Sequence, residues 1–307
     1  MDDVVDMQQR ARALKRATYA SVATASVLIV VKLLAWLLTG SVSMLASLVD
    51  SMMDAIASFI NLLAVRYSLQ PADTEHRFGH GKAEPLAALA QAAFISGSAV
   101  FLILHALDRL RNPYELHAVG IGIGVMVFAI ALTVLLLLYQ RRVIELTGST
   151  AIRADALHYA ADLLANLAII AALLLTAMGW AWADPVFAGL VAFYIIIGAL
   201  RVGREAVQQL MDHELPGTLQ QQIMAIARQQ AAVKGVHDLR TRKSGQAIFV
   251  QLHLELEDDL PLLQAHAIAD QVERDIGAAI PGAEVIVHQD PASVAREHLQ
   301  RDAGRNR

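Results

Sequence analysis

Two pairs of metal-binding side chains lie inside otherwise apolar stretches of the sequence. Asp50 and Asp54 occur in "LVDSMMDAI", and His158 and Asp162 occur in "ADALHYAAD". A charge near the centre of a bilayer costs about 2.5–3.5 kcal/mol on insertion scales, so these groups require a functional explanation. Residues four apart share a helix face at about 6 Å, so each pair forms a chelating edge. Two facing helices would supply three carboxylates and one imidazole, a ligand set suited to zinc, iron(II) or cadmium.

An alternative explanation is that each of these polar residues is tolerated singly, by facing a crevice or by pairing with Lys32. Two pairs with the same spacing favour the metal site instead. Each pair begins about seven residues from the N-terminus of its apolar stretch, and at roughly 1.5 Å per residue both fall near mid-depth. Lys32 itself is expected to snorkel or to pair rather than to bind a substrate.

The polar loop "QPADTEHRFGHGKAEP" contains a second group with metal-ligand character, Asp73, His76 and His80. Gly79 and Gly81 permit a tight turn there. The pattern alone favours an ordinary polar loop that contains two histidines.

The last third of the chain contains five further residues of metal-ligand type: His237, His253, His266, His288 and Asp290. In the alternating segment "AIFVQLHLELE", His253 lies on the face opposite Val250 and the leucines. His288 and Asp290 share a face because side chains alternate along a strand. His266 belongs to a helical segment. Solvated surface histidines are the alternative interpretation of this spacing.

Composition indicates that membrane-spanning helices position the first two pairs. Of 307 residues, 56% are hydrophobic and 18% charged, with a mean hydropathy of +0.45. A soluble chain carries about 45–50% apolar and about 25% charged residues, so disorder and an ordinary soluble enzyme are excluded. The absence of cysteine excludes thiolate metal sites, cysteine nucleophiles and a disulfide-built domain. A net charge of −4 gives no electrostatic reason to expect a nucleic-acid partner.

Six apolar segments are long enough to cross a bilayer, for which roughly 20 residues are needed. They lie at about 17–39, 43–66, 84–107, 117–139, 151–177 and 183–206. Basic residues in short flanks mark the cytoplasmic side. One side has only Arg109 and Arg111, and the other has Arg10, Arg12, Lys15, Arg16, Arg66, Arg77, Lys82, Arg141, Arg142, Arg153, Arg201 and Arg204. Both termini are therefore expected in the cytoplasm, with the polar N-terminus retained rather than cleaved as a signal peptide.

Residues 213–307 are polar and strongly patterned, which predicts a small cytoplasmic α+β domain after a transmembrane domain of residues 1–212. The segments "TLQQQIMAIARQQAA" and "LLQAHAIADQVERDIGAAI" have helical spacing, whereas "VHDLRTR", "AIFVQLHLELE" and "AEVIVHQD" are predicted strands. The expected fold is a membrane all-α bundle of six transmembrane helices followed by an α-β-β-α-β domain.

Taken together, these features resemble the cation diffusion facilitator family over nearly the whole chain, and more narrowly a bacterial pump of that family that exports zinc and ferrous iron. In the family, a D-x-x-x-D pair on the second span and an H-x-x-x-D pair on the fifth form the transport site, and the two intramembrane pairs match them. The resemblance implies a homodimer in the bacterial inner membrane. It also implies a metallochaperone-like cytoplasmic domain and no organic cofactor.

The resemblance also implies roles outside the transport site. The three loop residues match a second, cytoplasm-facing metal site. The five C-terminal residues match a binuclear site at the interface of paired cytoplasmic domains. There, Asp290 would bridge two ions, and Gln289 would contact the ligands rather than the ions. Metal there is expected to tighten the domains and favour transport. A Lys–Asp interlock in the family matches Lys82 and Asp212, for which ordinary surface charges are the alternative.

The expected function is efflux of divalent cations, above all Zn²⁺ with Fe²⁺ and Cd²⁺, in exchange for protons. Carboxylates and imidazoles bind metal only when deprotonated, so metal and protons compete for one site. Alternate exposure of that site would couple export to the proton gradient without ATP, and no G-x-x-x-x-G-K-[ST] motif occurs. Mn²⁺ would also suit the oxygen ligands.

Three other functions compete with this expectation. An intramembrane metalloprotease would need H-E-x-x-H or an equivalent general base, and that motif is absent. A membrane metal sensor does not explain acidic groups at mid-depth. A channel differs from a transporter in its kinetics, which the sequence does not specify.

Overall fold

The computed structural model describes residues 2–111, 120–178, 180 and 183–295. Six long helices come first: α1 (Asp2–Thr39), α2 (Val42–Ser68), α3 (Ala83–Arg111), α4 (Gly120–Thr147), α5 (Thr150–Ala177) and α6 (Ala183–Leu210). They are followed by α7 (Gly217–Ala227), β1 (Gly235–Ser244), β2 (Ala247–Leu256), α8 (Leu262–Ala279) and β3 (Ala283–Pro291). This order confirms the predicted six-helix bundle and the α-β-β-α-β domain.

Some boundaries differ from the predicted ones. Helix α1 begins at Asp2 rather than near residue 17, because the polar segment ahead of the first apolar stretch is helical as well. The predicted start of the fourth span, near residue 117, and residues 296–307 of the predicted cytoplasmic domain lie outside the described residues.

All six long helices contain a segment that is long and apolar enough to cross a membrane. The segments are Met7–Thr39, Met44–Ser68, Ala83–Asp108, Ile123–Thr147, Thr150–Ala172 and Pro185–Leu210. Their outward faces carry large apolar side chains such as Leu38 and Phe101, which are 79% and 72% exposed. In water such surfaces would be a liability, whereas lipid tails are their natural solvent.

Small residues let the helices of the unit formed by residues 10–207 approach one another closely. Ala92 of α3, Ala154 of α5 and Ala206 of α6 belong to one buried cluster. At Gly198 of α6 a Cβ atom would lie 2.7 Å from Cδ1 of Leu157 on α5. Without a hydrophobic driving force in lipid, such close packing is a main source of helix association. Helix α5 packs against α2, α3 and α4, which places its side chains inside the bundle.

The second unit, which includes residues 208–295, contains a three-stranded sheet in the order β1-β2-β3, with β1–β2 antiparallel and β2–β3 parallel. Alternate residues of β2, namely Val250, Leu252, Leu254 and Leu256, are buried against the two helices. Ile223 of α7 and Val272 and Ile276 of α8 complete this core. The predicted alternation of β2 is therefore confirmed, and the opposite face of the sheet is left for polar groups.

A β-bulge interrupts β1. His237 pairs with His253, but the next pair is Arg240 with Gln251, so β1 has one residue more than its partner in this interval. Asp238 occupies the irregular position with a φ of 46°. Such a bulge places two consecutive side chains on the same side of a strand.

Candidate metal centres

Three of the four predicted intramembrane ligands meet in the structure. Nε2 of His158 lies 3.0 Å from Oδ1 of Asp54 and 3.8 Å from Oδ2 of Asp162. Potential ligand atoms of all three residues lie within 4.8 Å of one another. Asp54 and His158 are buried, at 9% and 6% exposure. The group therefore offers two carboxylates and one imidazole to a single small cation.

Asp50 is not part of this close group. Its side chain is exposed and lies one helical turn before Asp54 on α2. All four residues nevertheless line the same cavity of about 470 Å³, which also contacts Phe94 of α3. The structure thus assembles three of the predicted ligands and places the fourth on the wall of the same cavity.

Helices α2 and α5 are joined by successive polar contacts. After Asp54–His158 comes Ser58 Oγ, 2.9 Å from Tyr159 Oη, and then Asn61 Nδ2, which donates to the carbonyl of Ala151 at 3.5 Å. Ser58 also contacts Asp155, so from Asp54–His158 through Ser58–Asp155 to Asn61–Ala151 the residue numbers rise along α2 as they fall along α5, and the two helices are antiparallel. These contacts place the metal-binding pair of α2 and the pair of α5 at the same depth in the bundle.

A buried polar group that residue spacing did not predict lies beside the candidate transport ligands. Asp155 lies three residues before His158 on α5 and has no exposed surface. Ser21, Ser58, Gln91 and Gln140 surround its carboxyl group. Its spacing from His158 and Asp162, on the same helix face, is the sequence signal that could have revealed it.

The predicted loop residues also come together. Oδ1 of Asp73 lies 3.3 Å from Nδ1 of His76, and Oδ2 of Asp73 lies 3.3 Å from Nε2 of His80. His80 is buried against Tyr67, and its Nδ1 has no hydrogen-bond partner among the described residues. Gly79 has a φ of 76°, so the predicted tight turn does need glycine there.

The backbone of this loop holds the Asp73 carboxylate. The N–H of His76 donates to Oδ1 of Asp73 at 2.6 Å, and the N–H of Glu75 donates to the same atom at 2.9 Å. These hydrogen bonds, the one from His76 above all, hold the pKa of Asp73 below its ordinary value. An ionised carboxylate is therefore presented to the two imidazoles, as a metal ligand must be.

In the second unit, three histidines form one row across the sheet. His237 of β1 pairs with His253 of β2, and His253 pairs with His288 of β3. Asp290 lies beside the row: its Oδ2 is 2.8 Å from Nδ1 of His253 and 3.4 Å from Nε2 of His237. Its Oδ1 is 3.2 Å from Nε2 of His288. One carboxylate therefore contacts all three imidazoles, through both of its oxygens.

Electrostatics favours the ionised form of Asp290. Partial burial raises its pKa, but the hydrogen bond with His253 and the charges of His288, His253 and His237 outweigh that effect and leave the pKa below its ordinary value. On the far side of His237, Oε1 of Glu255 lies 3.1 Å from Nδ1 and orients the ring. Carboxylates commonly support metal-binding histidines in this way.

Other predicted residues do not join this cluster. His266 of α8 lies 3.5 Å from Asp270 on its own helix, and Gln289 shares the core-facing side of β3 with Val287. Asp212 has a φ of 54° and lies 3.4 Å from Arg242. Lys82 belongs to the unit of residues 10–207 and Asp212 to the other unit, so their pairing remains a prediction.

Comparison with known families agrees with this arrangement. Residues 18–211 match the family profile described as the cation efflux transmembrane domain. The chain belongs to the cation efflux family. Residues 215–292 match the profile of the cation efflux protein cytoplasmic domain. The predicted resemblance to the cation diffusion facilitators is thereby confirmed.

Relatives within the cation efflux family span almost the whole chain. A protein from Klebsiella pneumoniae subsp. pneumoniae named cation-efflux pump FieF is 53% identical over 287 residues, covering 94% of this chain and 96% of its own. A FieF from Serratia proteamaculans is 53% identical over 292 residues, covering 95% of this chain and 97% of its own. Among solved structures, the CzrB chain in its zinc form is 32% identical, covering 27% of this chain and 94% of its own, with a TM-score of 0.26.

Membership of the cation efflux family establishes the general activity. The chain is a multi-pass membrane protein that exports divalent metal cations, and it is a transporter rather than an enzyme. The predicted narrower resemblance to a bacterial cation-efflux pump is confirmed by the FieF relatives.

Proposed function

We propose that this cation efflux protein exports Zn²⁺, together with Fe²⁺ and Cd²⁺, from the cytoplasm in exchange for protons by alternating access. The observation that carries the proposal is the convergence of Asp54, His158 and Asp162 inside the bundle, with ligand atoms within 4.8 Å of one another. Two carboxylates and one imidazole suit these borderline cations. Asp50, on the wall of the same cavity, is the proposed fourth ligand.

A hydrogen bond inside the group supports the proposed proton exchange. At 3.0 Å, Nε2 of His158 and Oδ1 of Asp54 share a proton when no metal is bound. A metal ion needs the lone pairs that this proton occupies, so its entry must release the proton. When the site opens to a more acidic compartment, protons return and displace the metal. The proton gradient would therefore drive export.

The other two clusters are proposed to bind the exported metal on the cytoplasmic side. Asp73, His76 and His80 would form the loop site. In the second cluster, two ions would be held by His237, His253, His288 and Asp290. His266 would be a further ligand, and Gln289 would contact the ligands rather than the ions. The central position of Asp290, which contacts three imidazoles, supports its role as the bridging ligand. Metal at this cluster would tighten paired cytoplasmic domains and favour transport.

The proposed topology has both termini in the cytoplasm of a bacterium and six spans in its inner membrane. The functional unit is proposed to be a homodimer, with residues 1–212 as the transport domain and residues 213–307 as the metal-binding and dimerisation domain. Lys82 and Asp212 would form an interlock between these domains. The basic flanks of the spans support the orientation.

The decisive experiment measures zinc uptake into proteoliposomes under imposed pH gradients of either sign. We expect saturable uptake that accelerates when protons leave the compartment that zinc enters, and a matching zinc-driven proton flux. Zinc flux that is unchanged by the gradient would exclude antiport, and non-saturating flux would indicate a channel. Metal binding without flux would indicate a sensor. Repeating the assay with Fe²⁺, Cd²⁺ and Mn²⁺ determines the cation range.

A further inference from the structure

Asp155 is a wholly buried carboxyl group that contacts four helices besides its own. Its Oδ2 lies 2.6 Å from Oγ of Ser21 on α1 and 2.7 Å from Nε2 of Gln140 on α4. Its Oδ1 lies 3.4 Å from Nε2 of Gln91 on α3 and 3.5 Å from Oγ of Ser58 on α2. A single side chain therefore connects α5 to α1, α2, α3 and α4.

The partners of Asp155 are all neutral. Its hydrogen bonds in the described part of the chain are with two serines and two glutamines, so none of its hydrogen-bond partners carries a positive charge, and the nearby His158 is itself bonded to Asp54. An ion buried without a counter-charge is strongly disfavoured. A protonated acid avoids that penalty and can both donate and accept hydrogen bonds.

The hydrogen bonds of Ser21 fit a protonated acid. Oγ of Ser21 is 2.6 Å from Asp155 and also 3.1 Å from the carbonyl oxygen of Ala17, which can only accept. A hydroxyl has one hydrogen. If Asp155 donates to Ser21, the serine hydrogen is free to bond Ala17, and each of these two contacts of Ser21 has one donor and one acceptor.

The ionisable groups nearest to Asp155 are on α5 and α2. Tyr159, one turn along α5, donates to the carbonyl of Ser21 and contacts Ser58. His158, which follows Asp155 by three residues on α5, is hydrogen-bonded to Asp54 of α2. On α1, α3 and α4 the contacting groups are Ser21, Gln91 and Gln140, none of which titrates.

The geometry also connects Asp155 to the metal ligands. Asp155, His158 and Asp162 are spaced by three and four residues, so they share one face of α5. On α2, Ser58 follows Asp54 by four residues, so these two residues also share one helix face. The contact of Asp155 with Ser58 is therefore adjacent to the contact of His158 with Asp54. Any rotation or sliding of α5 would have to break both.

We propose that Asp155 is a positioning residue for metal transport. As a neutral carboxylic acid it ties α5 to four helices and so holds His158 and Asp162 opposite Asp54, without taking part in the metal–proton exchange. This inference rests on the proposed transport site.

The test compares Asp155→Asn with Asp155→Ala in full-length protein reconstituted in proteoliposomes, with zinc as the probe. Asparagine keeps the shape and the neutral hydrogen-bonding capacity, so its KM for zinc and its pH profile should stay within about twofold of the unmodified protein. Alanine leaves the ligands unsupported, and its KM should rise by about 10–100-fold, the range for lost ligand support. Infrared spectroscopy should show a carboxylic-acid C=O band that Asp155→Asn removes.

Ser21→Ala provides a milder variant in case Asp155→Ala fails to fold. It removes one bond to Asp155 and should raise the KM for zinc to a value between those of the other two proteins. Ser26→Ala is its matched control: Ser26 is an exposed residue of the same helix whose hydroxyl bonds only the carbonyl of Val22 among the contacts described, and its KM should not change.

Three outcomes would overturn the proposal: an asparagine variant as impaired as alanine, an asparagine variant with altered proton coupling, or alanine and Ser21→Ala variants with unchanged KM. A His158→Ala variant distinguishes a failure of the positioning role from a failure of the proposed transport function. If His158→Ala transports normally, the transport site itself is wrong. If His158→Ala is inactive while Asp155→Ala is normal, only the positioning role is wrong.

Discussion

His158 Nε2 lies 3.0 Å from Asp54 Oδ1, although 104 residues separate the two in sequence. The contact joins α5 to α2 and is shorter than the 3.8 Å that separates His158 from Asp162 on its own helix. The strongest link in the candidate transport site is therefore between helices. A movement that separates α2 from α5 would open the site and weaken metal binding at the same time.

Removing either side of this contact should abolish transport. We expect Asp54→Ala and His158→Ala each to lower zinc flux in proteoliposomes by more than about tenfold, because one ligand of a small set is lost. Both proteins should still fold and dimerise, as gel filtration would show. Ser98→Ala is the matched control, since Ser98 lines the same cavity but bonds the carbonyl of Phe94 on its own helix. Normal flux in either ligand variant would contradict the assignment.

The cytoplasmic cluster should set how the transport rate depends on metal concentration. Replacing His237 and Asp290 together by alanine removes two groups that contact each other at 3.4 Å. We expect half-maximal flux to shift to a different zinc concentration, while the maximal flux, which depends on the intramembrane group, changes by less than about twofold. Initial rates measured across a zinc titration give the answer, and a superimposable curve would remove the regulatory role.

Asp290 should also make the metal-free second unit sensitive to acid. Its pKa is lowered in the folded protein, so the ionised form stabilises the fold above the unfolded-state pKa of about 3.9, and this stabilisation is lost as the pH falls through the folded-state pKa. Asp290→Asn should therefore reduce hydrogen-exchange protection of β2 and β3 at pH 7 in chelator-treated, full-length protein. The two proteins should converge in strong acid. Equal protection at neutral pH would show that the carboxylate contributes nothing.

Gly235→Ala should impair metal binding more than stability. A Cβ at this position would lie 2.6 Å from the carboxylate of Glu255, which orients His237. The flexible glutamate can move away at small cost, but His237 then loses its support, and zinc affinity at the cluster should fall by about tenfold or more. Calorimetric titration would measure this. Gly277→Ala is the control, because a Cβ there meets open space and should leave affinity unchanged.

The loop should lose its metal-binding geometry when Asp73 is replaced. Asp73→Ala removes an acceptor for two backbone N–H groups and the partner of both loop histidines. We expect binding at the loop site to weaken by at least about tenfold and amide exchange of the loop to accelerate. Glu75→Ala keeps the backbone bond from that residue to Asp73 and should behave like the unmodified protein. Equal effects of both substitutions would contradict a specific role for Asp73.

Much of this arrangement was predictable because two kinds of regular spacing are visible in the sequence. Residues four apart in apolar segments indicated the intramembrane pairs, and the alternation around His253 indicated its face. Asp155 was not predicted, because only the packing of five helices shows that Ser21, Gln91 and Gln140 converge on it. The exclusion of Asp50 from the close group also depends on side-chain placement, which spacing along one helix does not determine.

The bulge in β1 makes Asp238 a removable residue. Deleting one residue from a strand ordinarily moves every side chain beyond the deletion to the opposite face of the sheet. Here Asp238 is the extra residue, so its deletion would leave a regular ladder with Val236 and Thr241 still buried. The loss would be confined to a carboxylate that lies 3.6 Å from His253 and 3.0 Å from Arg240. A shortened chain would therefore change the charge beside the histidine row while the hydrophobic core stays as it is.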